Sequence, residues 1–154
     1  MAIRKIETDG APVLHQRAQE IDPKELGTEN FRQLVVDLIE TMRQAKGVGI
    51  AAPQVGVSWR VFVADSPDGP VALVNPVITK RSWKTVKDEE GCLSLPGQWG
   101  KVKRSKTVTV EALSAEGQPV KFTARDFFAR VIQHESDHLD GILFIDRIKE
   151  QSGK

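Results

Sequence analysis

The sequence predicts an α+β fold, in which short antiparallel or mixed strands pack around a C-terminal helix, with a second, amphipathic helix near the N-terminus. Three observations predict it. Apolar residues recur at helical spacing over residues 30–46, short β-branched runs alternate with turns over residues 60–124, and a second helical pattern covers residues 125–139. With 154 residues, the chain can bury the core of one domain, which we place at residues 1–154, without disulfide bonds.

An irregular N-terminal arm is predicted to precede the first helix, because residues 7–30 are rich in Pro, Asp and Gly. We expect Thr28 or Asn30 to cap the start of the helix and Gly47 to follow its end as the C-cap glycine. Its apolar stripe comprises Phe31, Leu34, Val35, Leu38, Ile39, Met42 and Ala45.

The strands are predicted from short apolar and β-branched runs that are separated by turn residues. A turn at Pro67-Asp68-Gly69 follows the first run, and a hairpin turn at Glu116-Gly117-Gln118-Pro119 precedes the last run. The runs cover residues 61–64, 71–74, 77–79, 107–111 and 120–123.

The last helix is predicted over residues 125–139, with Thr123 as its N-cap and Gly141 as its stop signal. Its apolar side comprises Phe127, Phe128, Val131, Ile132 and Leu139.

Composition and charge exclude several classes of protein. The 22 Lys and Arg residues against 21 Asp and Glu residues leave a net charge of +1, which disfavours a strongly basic nucleic-acid-binding protein. No apolar run approaches the roughly 18 residues of a membrane-spanning helix, and the N-terminus lacks the apolar segment of a signal peptide. The single cysteine cannot form an internal disulfide and, without a secretion signal, indicates a reducing cytoplasm, or an organelle interior if a presequence has been removed. We expect the cytoplasm.

The last helix carries the pattern His134-Glu135-Ser136-Asp137-His138. Residues four apart lie about 40° apart around a helix, so both imidazoles can bind one ion while Glu135 faces the ion's open position. This is the H-E-x-x-H pattern of zinc hydrolases. The alternative is a solvated helix face with two surface histidines. Phe127 and Val131 place His134 on the apolar side of the helix, which favours the metal site.

A catalytic divalent site needs a third protein ligand, and Cys92 is a candidate. It is flanked by glycine and followed by Pro96-Gly97, which predicts an irregular loop that lets a thiolate reach inward. Two other interpretations are open for a lone cysteine, namely a small buried hydrophobe and a nucleophile that is activated by a histidine. The paired histidines and the glutamate beside them favour the ligand.

Three segments carry the patterns of a known family. G-x-G-[LI]-A-A-x-Q is present at residues 47–54, E-G-C-L-S at residues 90–94 and Q-H-E-x-D-H-L-x-G at residues 133–141. In these segments, their order and their approximate spacing, the chain resembles the peptide deformylases over roughly residues 3–147.

The resemblance implies a metal-dependent enzyme that contains one divalent ion. Its ligands would be Cys92, His134 and His138, and Fe(II) is the expected ion, with Ni, Co or Zn able to replace it. Arg104 is placed to pair with Glu90 or Asp137 and so to support these ligands.

The resemblance also implies a reaction, the removal of the formyl group from the N-terminal formyl-methionine of nascent polypeptides. Glu135 would be the general acid and base, while the Gln54 side chain and the Leu93 backbone N–H would donate to the oxyanion. This set suits an unreactive formamide, because its hydrolysis needs an activated water, a proton acceptor and oxyanion stabilisation.

The resemblance further implies how a peptide binds. The segment that contains Gly49 would act as an edge strand, whose backbone pairs with the extended substrate. Val48, Phe127 and Val131 are expected to form a shallow methionine pocket. Trp99 stands in a region where many bacterial members carry an arginine close to the site, and we count it among the substrate-binding residues.

Other functions lead to different expectations. A general H-E-x-x-H endopeptidase would draw a third ligand from downstream, where only Asp140 and Asp146 come into question. A Cys–His acyl transferase would need neither the second histidine nor the glutamate. A catalytically weak relative that acts as a peptide-binding module would have lost a ligand, the base or Gln54. The expected partners are N-formyl-methionyl nascent peptides, with transient proximity to the ribosome and no direct binding to nucleic acid or membrane.

Overall fold

The computed structural model describes residues 2–152, so Met1, Gly153 and Lys154 of the predicted 1–154 domain lie outside the described residues. Within residues 2–152 the chain forms two antiparallel sheets and three α-helices, which confirms the α+β prediction. The helices are α1 (Glu29–Gln44), α2 (Asp126–Leu139) and α3 (Phe144–Ser152). The strands are β1 (Gly49–Ala51), β2 (Val61–Ser66), β3 (Gly69–Arg81), β4 (Thr85–Cys92), β5 (Leu95–Ser105), β6 (Thr107–Leu113) and β7 (Pro119–Arg125).

The main sheet has five strands in the order β1-β2-β3-β6-β7, and β4 pairs with β5 in a separate hairpin. Alternate side chains of β2 point to opposite faces of the main sheet. Phe62 and Ala64 pack in the cluster that contains buried residues of α2, whereas Val61 and Val63 pack in the cluster that contains α1. The sheet therefore lies between the two helices, with β1 as a free edge beside α2.

Helix α1 confirms the helix predicted over residues 30–46. The Thr28 hydroxyl accepts a hydrogen bond from the Phe31 N–H at 3.2 Å and caps the N-terminus. The predicted end is wrong in detail, because the helix ends at Gln44 with Ala45 as its C-cap, and the left-handed residue that follows is Lys46, with φ of 58°, and not Gly47. Gly47 instead leaves room for the Leu93 side chain, because a β-carbon at position 47 would lie 2.9 Å from Leu93 Cδ1.

Strand β3 differs from the two short strands predicted at residues 71–74 and 77–79. One continuous strand covers both, with an irregularity between Val74 and Val77. Asn75 takes a φ of 48° there, and its side-chain amide both accepts from the Ile21 N–H and donates to the Ile21 carbonyl. These bonds tie the N-terminal arm to the sheet and let the strand continue past the bulge.

Helix α2 begins at Asp126, close to the predicted boundary, but Thr123 does not cap it. Thr123 lies within β7, and Arg125 occupies the N-cap position without a side-chain hydrogen bond. Helix α3 was not predicted from the sequence. No helix in residues 2–152 combines the length and the apolarity that crossing a bilayer requires.

Candidate active site

Two side chains of helix α2 and one from a distant part of the chain converge on one point. The ligand atoms of Cys92, His134 and His138 all lie within 4.8 Å of one another, and Cys92 Sγ is 3.3 Å from His138 Nε2. A sulfur and a nitrogen that share one tetrahedral ion stand about 3.5 Å apart, given bonds of roughly 2.3 and 2.0 Å. One thiolate and two imidazoles therefore fit a divalent metal ion.

The hairpin of β4 and β5 places Cys92 next to the two histidines. Cys92 is the last residue of β4, and the turn Leu93-Ser94 leads into β5. The expected irregular loop is thus a tight hairpin turn, with a change of register between Gly91 and Cys92. Such a turn fixes the thiol on paired backbone, which holds a ligand more rigidly than a loop would.

Glu90 orients His134 from the same hairpin. Its Oε1 lies 2.8 Å from His134 Nδ1. Burial acts to raise the pKa of Glu90, but hydrogen bonds from His134 and Arg104 hold it well below its ordinary value. Because an ionised carboxylate can only accept, Nδ1 carries a proton, and Nε2 is the nitrogen that is left to bind a metal ion.

Arg104 pairs with both predicted partners. Its Nε and Nη2 donate to the two carboxylate oxygens of Glu90 at 2.9 and 3.0 Å, and its Nη1 donates to Asp137 Oδ2 at 2.6 Å. Arg130, one turn before His134 on α2, donates to Glu90 Oε2 at 2.6 Å. All three pairs are almost completely buried. Two guanidinium groups therefore compensate the buried charge of the carboxylate that holds His134.

The two imidazoles have opposite pKa shifts. Burial lowers the pKa of His138 well below its ordinary value, and the charge of His134 adds to the effect. Burial also acts to lower the pKa of His134, but hydrogen bonds with Cys92 and Glu90 raise it. A metal cation competes with the proton at Nε2, so metal uptake is expected to release that proton.

Glu135 lies beside both histidines, and its carboxylate is available to accept a proton. It is 3% exposed, and Oε1 has no hydrogen-bond partner among residues 2–152. Burial raises its pKa to about 7, although the positive charge of His134 opposes the shift. A carboxyl group that titrates near neutral pH can both accept and return a proton.

Gln54 points its amide nitrogen at the thiol. Its Oε1 accepts from the Ala51 N–H at 2.9 Å, which assigns the other end as the NH₂ group because a backbone N–H can only donate. Nε2 lies 3.6 Å from Cys92 Sγ and 3.2 Å from Ser94 Oγ. The buried amide therefore presents a fixed N–H donor beside the metal ligands.

A cleft of about 500 Å³ opens onto this group. All five residues predicted to contact substrate line it, together with three predicted catalytic residues and two of the predicted ligands. These are Val48, Gly49, Trp99, Phe127 and Val131, then Gln54, Leu93 and Glu135, and Cys92 and His134. His138 lies behind them and is 1% exposed.

Comparisons with known proteins decide the family. Residues 3–154 match a sequence model described as polypeptide deformylase. The peptide deformylase of Fusobacterium nucleatum subsp. nucleatum is 47% identical over 147 residues, covering 95% of this chain and 84% of its own. Peptide deformylase 1 of Clostridium acetobutylicum is 43% identical over 153 residues, covering 99% of each chain. The chain belongs to the polypeptide deformylase family.

Solved deformylase structures share its fold. The peptide deformylase of Thermotoga maritima superposes with a TM-score of 0.90 at 42% identity, covering 96% of this chain and 98% of that one. An actinonin-bound class I type b peptide deformylase from Acinetobacter baumannii gives 0.91 at 38% identity, with coverage of 96% and 99%. As a member of the family, the chain is a metal-dependent hydrolase that removes the formyl group from N-formyl-methionyl peptides.

Three residues at this site were not predicted from the sequence. Ser94 accepts from Gln54, Arg130 supports Glu90, and Arg147 of α3 donates to Asp137 at 2.8 and 3.0 Å. Arg130 was detectable in principle, because it lies one helical turn before His134 on the predicted inner face. The two downstream carboxylates considered as alternative ligands make other contacts, Asp140 with Arg60 and Asp146 with the Leu143 N–H.

Proposed function

We propose that this deformylase holds its ion through Cys92, His134 and His138 and uses Glu135 as the general acid and base. The observation that carries the proposal is the convergence of three donor atoms within 4.8 Å, beside a buried carboxylate with a free oxygen. A divalent ion bound there would polarise the formyl carbonyl and make a water molecule acidic near neutral pH.

The chain's own residues supply the remaining steps. Glu135 takes a proton from the attacking water and returns it to the departing amine of methionine. The Gln54 N–H and the Leu93 backbone N–H donate to the oxyanion that forms from the formyl carbonyl. Ser94 supports this geometry, because it accepts from Gln54 Nε2 and helps to keep the amide in place.

The peptide would bind along the edge strand β1. Gly49 lies on this edge and lines the cleft, and its lack of a side chain allows another backbone to come close. Val48, Phe127 and Val131 would surround the methionine side chain. Trp99 would pack against the peptide at the mouth of the cleft.

The identity of the ion and the setting in which the protein works are further parts of the proposal. A thiolate with two imidazoles suits a borderline-soft divalent ion, and we propose Fe(II), with Ni, Co or Zn as functional replacements. We propose that residues 1–154 form one domain that works in the cytoplasm, in transient proximity to the ribosome. We expect no direct binding to nucleic acid or membrane.

The test is formate release under controlled metal content. Metal-free protein is reloaded anaerobically with Fe(II), Ni, Co or Zn and assayed on a formyl-methionyl and an acetyl-methionyl peptide. We expect activity that follows metal content and a strong preference for formyl, because a tight oxyanion site admits hydrogen more readily than methyl. Comparable kcat/KM for the two peptides would indicate a general amidase instead.

Replacement of the base tests the role of Glu135. Glu135→Gln keeps the shape of the side chain but cannot accept a proton, so turnover should fall by about 10²–10⁴-fold while the metal content is unchanged. A variant that retains more than about a tenth of the wild-type rate would contradict the role. A chain that binds formyl-peptide without hydrolysing it in any metal form would support the peptide-binding module.

A further inference from the structure

We infer that Arg147 of α3 is a positioning residue for the metal centre and acts on it through Asp137, Arg104 and Glu90. The inference rests on the metal site proposed above. It concerns a helix that neither carries a ligand nor lines the cleft, and it predicts that the C-terminal helix controls how firmly the ion is held.

Continuous hydrogen bonds connect Arg147 to the ligand His134. Arg147 Nη2 and Nε donate to the two oxygens of Asp137 at 2.8 and 3.0 Å. Asp137 Oδ2 also accepts from Arg104, which donates through its other nitrogens to Glu90, and Glu90 accepts from His134.

Asp137 occupies a position from which it can affect both histidines. It directly precedes His138 and lies three residues after His134 on the same helix. Its side chain is 8% exposed, so its charge needs fixed partners, and Arg104 and Arg147 are the two that donate to it within residues 2–152.

Loss of Arg147 would leave Asp137 Oδ1 without a donor. Arg104 already donates to Asp137 Oδ2, and turning toward Oδ1 would weaken its two bonds to Glu90. Glu90 would then hold His134 less firmly, and a loosely held ligand releases its ion faster. The planar fork of arginine matters here, because a lysine can make one bond to Asp137 but not two parallel ones.

The rate of metal release tests the inference without any formyl substrate. Protein loaded with Co(II) is mixed with excess chelator, and both the release and the absorption spectrum of bound Co(II) are followed. We expect Arg147→Gln to release the ion about tenfold faster, with a shifted spectrum, and Arg147→Lys to lie between it and the wild type.

Two control variants separate positioning from simple packing. Glu150→Gln removes the other carboxylate near Arg147, which lies 3.4 Å away. Ile148→Ala weakens the packing of α3 on Gly100, where a β-carbon would lie 2.4 Å from Ile148 Cδ1, and removes none of the hydrogen bonds to the Asp137 carboxylate. We expect both to release Co(II) at the wild-type rate, and urea unfolding of the metal-free proteins measures any general loss of stability.

Several outcomes would overturn the inference. One is wild-type release from Arg147→Gln, and another is equally fast release from Ile148→Ala. If Arg147→Gln does not fold, Arg147→Lys decides, and wild-type release from it would then contradict positioning. Failure of the wild-type protein to bind Co(II) at all would instead refute the proposed metal site.

Discussion

The carboxylate of Glu135 lies so close to the backbone of Gly49 that a β-carbon on Gly49 would stand 2.7 Å from Oε2. The edge strand β1 and the helix α2 thus meet at the residue proposed as the base. The contact explains why a side chain is absent at this point of the strand. It also couples the edge that is proposed to bind the peptide to the carboxylate that is proposed to move the proton.

Gly49→Ala should therefore displace Glu135 and slow hydrolysis. Gly49 does not have a positive φ, so alanine fits the backbone and the cost falls on the carboxylate. We expect kcat to fall by about 10²-fold, at the lower end of what loss of a general base costs, with unchanged metal content. Steady-state kinetics and metal analysis of the purified variant measure both.

Gly100→Ala is the matched control for this substitution. Its β-carbon would meet the end of the Ile148 side chain at 2.4 Å, and a terminal methyl group can move aside. The control should keep nearly the wild-type kcat. Equal kcat values for Gly49→Ala and the wild type would show that Glu135 tolerates a side chain at the edge strand, against the assigned geometry.

The reactivity of Cys92 separates a metal ligand from a nucleophile. A thiolate bound to an ion has its lone pairs engaged, so a thiol reagent should label the metal-loaded protein slowly. Chelation should accelerate labelling on the order of tenfold or more, because the thiol then lies free beside two imidazoles. Since Cys92 is the only cysteine, one titration with and without chelator measures it. Equal rates would remove Cys92 from the ligand set.

Cys92→Ser provides the complementary measurement. Replacing a residue that merely supports a ligand typically costs about 10–100-fold in metal affinity, so loss of the ligand itself should cost at least that. Loss of a nucleophile would leave the metal content intact. Chelator competition on the variant distinguishes the two.

The sequence predicted α1 and α2 well because burial in each follows helical periodicity. It missed α3, in which Phe144 is the one fully buried residue. That helix depends on contacts far away in the chain, such as Arg147 with Asp137, and local periodicity cannot show them. The hairpin of β4 and β5 was missed for a different reason. Strand β4 is largely exposed and strongly polar, so its sequence lacks the alternation of apolar and polar residues that predicts a strand.

The residues of the candidate site were also predictable where they lie close together in the sequence, and less so where they lie far apart. His134, Glu135 and His138 lie on one helix, so the spacing alone predicted their convergence. Cys92 is 46 residues before His138, so helical spacing could not join the two. The residue types favoured Cys92 as the third ligand, and the resemblance to a family implied the complete set. The charges that hold Glu90 come from β5 and α2, and Arg130 was not anticipated because a buried arginine looks like a surface residue in sequence.

Trp99 should contribute to peptide binding and not to chemistry. It lines the cleft, is 69% exposed and lies over Gly91, where a β-carbon would be 2.4 Å from its ring. Trp99→Ala should raise KM about five- to tenfold with little change in kcat, as expected for the loss of one aromatic contact. Trp83→Ala is the control, because Trp83 is 98% exposed and does not line the cleft. A fall in kcat alone would contradict this role.

Asp37 should make stability depend on pH in the acid range. Its buried carboxylate accepts from the Ala2 N–H, the Arg4 Nε–H and the Gln33 amide at 2.8, 2.9 and 2.7 Å. Burial acts to raise the pKa of Asp37, but these hydrogen bonds, that of Gln33 first, lower it below its ordinary value. The contribution to stability is therefore complete above the unfolded pKa of about 4 and is lost as the pH falls through the folded pKa.

Asp37→Asn should lower the free energy of unfolding by about 1–3 kcal/mol at pH 7, because its NH₂ group replaces an acceptor that faces three N–H donors. The difference from the wild type should shrink as the pH falls below about 4, where the wild-type carboxyl becomes protonated and loses the same bonds. Urea unfolding at a series of pH values measures it, with Asp68→Asn on an exposed turn as the control. A difference that stays constant down to acid pH would mean that the packing of this side chain, and not its charge, anchors residues 2–4 to α1.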